Sequence, residues 1–230
     1  MANVKIIPFD PARHQHLFPS IVTLHVDAIE CDDIPLRFHP PFDEAKRAKM
    51  TAFWKQHTRE SAEGRRLTLI ALAGESEEDS GNGGSKDDGN SNGNLNGNGS
   101  TPIQRNQVLG VVELALSDSE AGTFRGELEM LIVSPSYRRH GLAKRLLQEV
   151  ERLALEQNKT LITFSTTRDS VAEKYLYAQM GFVEFGRLPD YAITPLTGKY
   201  VDGVYFYKDL SRRARKPDRQ SVLLAQDLEL

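Results

Sequence analysis

The stretch "FRGELEMLIVSPSYRRHGLAKRLLQEVERLALEQNKTLITFSTT" (residues 124–167) decides how this chain reads. Residues 124–135 have the pattern of a strand stopped at Pro135, and 160–167 have it again. Between them, 141–158 repeats leucine, valine and alanine at helical spacing behind Gly141. Strand, helix, strand in that order predicts a parallel pair joined by a right-handed crossover. Arg138, Arg139 and His140 crowd the turn where the first strand gives way to the helix. Positive side chains at a helix N-terminus oppose the helix dipole, so packing alone gives no reason for them. A bound anion does. Gly141 has no Cβ to hold a ligand away, Ala143 extends the small surface, and the free N–H groups of a first helical turn add to the attraction.

Outward from this unit, "NVKIIPF" (3–9) reads as a first strand ended by Pro8. Leu17, Ile21, Leu24 and Ile29 mark a helix within 11–31, and "FDEAKRAKMTAFWKQHTRE" a second with Asp43 near its N-cap. "RRLTLIALAG" (65–74) and "NQVLGVVELALSDS" (106–119) read as neighbouring strands of a hairpin. "SVAEKYLYAQM" (170–180) reads as a helix stopped by Gly181 at a left-handed C-terminal position, followed by "FVEFGRL" (182–188). "YVDGVYFYKDL" (200–210) alternates like an edge or penultimate strand. The expected architecture is mixed α/β: a mostly antiparallel central sheet with a central parallel pair, flanked by helices, in one domain over 1–210. The segment 75–104 is almost free of apolar side chains, so it cannot offset the entropy of ordering its backbone and reads as a disordered insertion. Residues 211–230, with the basic run "SRRARKPDR", read as a peripheral tail.

The 230 residues carry a formal net charge of −3, which gives no drive toward nucleic acid or anionic membrane. A single cysteine, Cys31, excludes an internal disulfide and makes a thiolate zinc site improbable. His14, His16, His25, His39 and His57 are scattered without metal-like spacing, so no metal is expected. Trp54 reads as helix core. No signal peptide and no 18-residue apolar run stands out, which points to the cytoplasm, with the nucleus as a second compartment if the basic tail is an import signal.

The turn lacks G-x-G-x-x-G and G-x-x-x-x-G-K-S/T. "V-S-P-S-Y-R-R-H-G-L-A" instead matches V-x-P-x-x-[QR]-x-x-G-x-[GA], and the segment 106–208 resembles the GNAT superfamily of N-acetyltransferases in motif and element order. "SVAE", "GRLPDY" and "YFYK" are similar to the C-terminal half of tabtoxin-resistance-type acetyltransferases, although Ser165 stands where those enzymes carry an acid. The resemblance implies that Arg138, Arg139, His140, Gly141, Leu142, Ala143 and Lys144 cradle the pyrophosphate of acetyl-CoA, chiefly through backbone amides. It implies that Leu131, Ile132 and Val133 pair with the pantetheine arm as an added strand would.

Moving an acetyl group from a thioester to an amine requires the amine to lose a proton and the thiolate to gain one. Period 2 puts Glu127, Glu129, Leu131 and Val133 on one strand face unless a bulge intervenes. By resemblance, Glu127 or Glu129 is the base. Tyr177, four residues before Gly181, is the acid, whereas Tyr175 is off that face and expected to pack. The expected activity is direct, acetyl-CoA-dependent N-acetylation of a primary amine, a small molecule before a peptide N-terminus or lysine. An inactive acyl-CoA-binding module is the reading from another class. A monomer and a homodimer fit equally.

Overall fold

A computed structural model describes residues 4–74, 107–168, 170 and 173–211. The expected insertion lies outside these residues, as does the tail beyond Ser211. Seven strands form one sheet: β1 (Val4–Pro8), β2 (Arg66–Ala73), β3 (Val108–Leu116), β4 (Arg125–Val133), β5 (Leu161–Thr167), β6 (Val183–Ile193) and β7 (Tyr200–Asp209). Their order is β1-β2-β3-β4-β5-β7-β6. Every neighbouring pair is antiparallel except β4 and β5. This is the expected mixed sheet with a central parallel pair. No helix among the described residues is long and apolar enough to cross a membrane.

Helices cover the sheet unequally. On one face lie α1 (Phe18–Asp32) and α2 (Glu44–Ala62), against β2, β3 and β4. Asp43 caps α2 as its sequence suggests, its carboxylate accepting from the Lys46 N–H at 2.8 Å. Phe18, Ile21, Leu24, Met50 and Trp54 bury that face together with Ile70 and Val111. On the other face α3 (Leu142–Glu156) buries Leu142, Leu146, Leu147, Val150 and Ala154, an i, i+4, i+5, i+8, i+12 stripe. The far half of the sheet, β5-β7-β6, has no α-helix on the α1/α2 face among the described residues.

Two elements differ from expectation. Among the described residues of the helix foreseen over 170–180, Glu173–Tyr177 form a π-helical turn. It closes as foreseen: Gly181 has φ 78°, and the Phe182 and Gly181 N–H groups donate to the carbonyls of Tyr177 and Ala178. The strand foreseen over 182–188 continues to Ile193, passing Pro189 through a register shift between Leu188 and Ala192. Proline is tolerated there because β6 is a sheet edge and the position is a bulge.

Candidate active site

The turn after β4 is short and left-handed in two places. Pro135–Tyr137 make one 3-10 turn, Arg139 sits at φ 64° and Gly141 at φ 73°. Gly141 is the N-cap of α3 and no side chain caps that helix, so its first backbone N–H groups remain available to an anion. A Cβ on Gly141 would meet nothing within 4 Å; the glycine is there for its φ. Arg139, His140 and Lys144 are exposed around it, His140 stacked on the Tyr137 ring at 4.6 Å. Arg138 differs from expectation. Its guanidinium turns away to grip Asp32 at the end of α1, at 2.8 and 2.6 Å. Only its backbone belongs to the turn.

The parallel pairing of β4 with β5 covers only Arg125–Glu127 against Leu161–Thr163. Beyond that point the two strands splay apart, leaving the β5-facing backbone edge of β4 without a strand partner among the described residues. A bulge lies within the splayed part. Met130 has φ 50°, and Met130 and Leu131 together oppose the single Val112 of β3. The bulge overturns the shared face expected for Glu127, Glu129, Leu131 and Val133. Leu128 faces the α3 side, yet Ile132 is buried on the α1/α2 side, and Leu131 and Val133 pack half-buried toward α3. Glu127 and Glu129 therefore share the α1/α2 face with Met130 and Ile132.

The two acids have different surroundings. Glu127 is exposed, and partial desolvation, helped by the charge of Glu129, raises its pKa above the ordinary carboxylate value. Glu129 is tied to Arg66 at 2.6 Å. Arg66 in turn reaches Glu60 at 3.1 Å and the fully buried Glu113 at 3.4 Å. Glu113 also accepts from Thr68 Oγ1 at 2.9 Å and meets His57 Nδ1 at 2.6 Å. Sequence reading missed this network, although a glutamate inside the apolar run "VVELAL" was the signal, since a buried carboxylate demands partners. His57, Glu113 and Glu129 bring potential ligand atoms within 4.8 Å of one another. The cation among them is Arg66.

Tyr177 lies on the opposite face. Its ring packs against Phe164 at 4.4 Å and against Phe182 and Phe206. Phe164 is the first β5 residue past the paired segment, so Tyr177 borders the splay from the α3 side. Burial raises its pKa, which keeps the phenol protonated. Tyr175, expected to pack, is 64% exposed; two residues along a helical turn carry it to the outer side.

A cleft of about 350 Å³ opens beside the splay, between the end of α1, the end of β5 and the β6–β7 turn. Asp33 fixes that turn by accepting from the Leu196 N–H at 2.6 Å and from the Thr197 hydroxyl. The α1–α2 connection contributes Ile34 and Pro35 to its wall.

A family model described as the acetyltransferase (GNAT) family matches residues 91–182, which include β4, the turn, α3, the splay and Tyr177. That segment is similar to a GNAT acetyltransferase domain. An N-acetylaspartate synthetase from Danio rerio is 29% identical to it over 104 residues, 45% of this chain and 36% of the relative. This chain thus spans little more than a third of that relative's length. Among solved structures, a ribosomal-protein-alanine N-acetyltransferase from Brucella melitensis aligns with a TM-score of 0.61 at 16% identity, covering 90% of this chain and 99% of that one. A Salmonella typhimurium protein whose structure contains its cofactor acetyl-CoA aligns with a TM-score of 0.58 at 15% identity, covering 94% and 99%. At such identities the likeness is one of fold.

Proposed function

We propose that the protein is an acetyl-CoA-dependent N-acetyltransferase that moves the acetyl group directly onto a primary amine of a small molecule. The observation that carries this reading is the gap between β4 and β5. It leads from an uncapped helix N-terminus on the α3 side to a carboxylate of raised pKa on the other. The parts fit acetyl-CoA: the α3 N–H groups suit a pyrophosphate, and the unpaired edge of β4 suits the amides of a pantetheine arm. Arg139, His140 and Lys144 add positive charge at the rim. Acetyl-CoA supplies the acyl group as an activated thioester.

In this reading Glu127 takes the proton the amine must shed, directly or through one water. An ammonium with a pKa of about 10.4 costs roughly 4–5 kcal/mol to deprotonate at neutral pH, and a base of raised pKa is a better match to that task than an ordinary carboxylate. As the nitrogen bonds to the acetyl carbon and the carbon–sulfur bond breaks, Tyr177 gives its proton to the departing thiolate. Glu129, held by Arg66 at 2.6 Å, lies beside Glu127, and its charge adds to the desolvation that raises the Glu127 pKa.

Calorimetric titration of acetyl-CoA into the parent and the Gly141→Glu variant tests the reading. The parent is expected to bind and the variant to lose binding, because the new side chain forces a left-handed φ on a non-glycine residue and sets a negative charge at the helix N-terminus. No binding by the parent would overturn it.

A further inference from the structure

The α1/α2 face of β5-β7-β6 carries a set of aromatic rings that the fold does not use for its core. Phe185 is 59% exposed, Tyr191 49% and Tyr207 36%. The rings are ordered against one another. Phe185 lies 6.1 Å from Tyr205 and 6.0 Å from Tyr207, edge to face, and Tyr191 lies 5.7 Å from Tyr205. Leu188, 47% exposed and paired with Gly203, extends the surface. Gly203 is itself part of the arrangement: a Cβ there would come within 2.8 Å of the Tyr191 ring, so that ring lies flat on the strand only because the residue beneath it has no side chain.

This platform is continuous with the proposed site. Register places Glu127 level with Thr163 on β5, which pairs with Tyr207 on β7, and Ser165 pairs with Tyr205 one row further on. On the strand that separates the base from the rings, Thr163 and Ser165 hold the two register positions, and both are small. The Tyr205 pKa is raised first by the Tyr191 hydroxyl and in smaller part by the charge of Glu127, so the three groups feel one another. Carboxylates at one margin and aromatic faces beside them complement an ammonium carried on a flat apolar body.

We infer that the acceptor is an arylalkylamine-type amine, whose ring stacks on Phe185, Tyr191, Tyr205 and Tyr207 while its nitrogen lies at Glu127. The inference rests on the transferase reading above and goes beyond it in naming the acceptor class. A platform of this kind favours phenethylamine over ethylamine, since the extra ring leaves water only in the first case.

The test is acetyl transfer by the full chain, followed as free thiol released, with phenethylamine and ethylamine as acceptors. We expect kcat/KM to favour phenethylamine by about tenfold or more, and Phe185→Ser and Tyr191→Ser each to bring that ratio severalfold closer to one. The ratio is the readout, so a uniform loss of activity does not imitate the effect. Phe185 is exposed enough that its truncation is not expected to unfold the protein, and circular dichroism of both variants checks this. Turnover of both amines without preference, or a ratio that neither variant moves, overturns the platform and leaves the transferase reading standing. Turnover of neither amine overturns both. Sedimentation gives the remaining outcome: if the parent is a dimer and Phe185→Ser a monomer, a second copy occupies the rings and the inference falls.

Discussion

Glu127 and Glu129 sit two residues apart on one strand face, and their neighbours separate their roles. Glu129 is paired with Arg66 at 2.6 Å; Glu127 has no such partner in the Arg66 network, and partial desolvation together with the adjacent charge raises its pKa above the ordinary carboxylate value. A base titrates out of its working form as pH falls through its pKa, so kcat/KM should fall on the acid side of the profile. Glu129→Gln leaves the desolvation but removes the adjacent charge that adds to the raised Glu127 pKa, and the acid limb should move to lower pH. Glu127→Gln should lower kcat by about 10²-fold or more while acetyl-CoA binding persists. An unmoved limb in the first variant, or undiminished turnover in the second, would transfer the role elsewhere. His25 offers a separate residue-scale test. It is wholly buried on α1, with Nε2 donating to the Leu36 carbonyl at 2.9 Å, and burial pushes its pKa from 6.5 down to about 4. The unfolded chain then binds more protons than the folded one between pH 4 and 6.5, so stability declines as pH falls through that window. This one group should make the protein about 2 kcal/mol less stable at pH 5 than at pH 7.5. Urea denaturation at the two pH values should show that difference shrinking in His25→Gln.

At the scale of elements, the strand–turn–helix after residue 124 was legible because its signals are local: a strand pattern, a proline stop, a glycine N-cap and a leucine stripe. The β4 bulge was not. No residue type announces Met130 at φ 50°, and the shift of one position there decides that Glu127 faces α1 and α2 while Leu131 and Val133 face α3. The destination of Arg138 was equally hidden, since its partner lies 106 residues earlier in the chain. That pair joins the turn before α3 to the end of α1, and the next residue, Asp33, joins α1 to the β6–β7 turn. One short segment thus links the cradle to the wall of the neighbouring cleft. Both partners of the pair are about one-third exposed, so Asp32→Ala should cost less than about 1 kcal/mol of stability. Freeing the Arg138 guanidinium and deleting an anion beside the cradle should tighten acetyl-CoA binding a few-fold at low salt, an advantage that shrinks as salt is added. Weaker binding in the variant would mean that Asp32 holds the turn in its binding shape.

At the scale of the whole molecule, strand pairing and side-chain networks differ in how far the sequence discloses them. The β2–β3 hairpin and the parallel β4–β5 pair follow from hydrophobic period and chain connectivity. The polar network was not legible: Arg66, Glu113, His57 and Glu129 come from β2, β3, α2 and β4, and only the folded sheet brings them together. The fold also defines what the segment between β2 and β3 must accomplish, because the two strands it connects are adjacent and antiparallel. Leu72 pairs with Val108, and the Ala73 N–H donates to the Gln107 carbonyl at 3.0 Å. Deleting 75–104 leaves Gly74, Arg105 and Asn106 to span that gap, a three-residue hairpin loop containing the residue types such turns favour. Shortening the connection about tenfold lowers the entropy lost on closure, by about 2 kcal/mol at the rate of about 0.6 kcal/mol per halving. The shortened protein should therefore unfold at a higher urea concentration than the parent, bind acetyl-CoA with unchanged affinity and keep its amine preference. A variant that folds no better but loses acetyl-CoA would instead make 75–104 part of the site, whereas one that fails to fold would make it part of the domain's core.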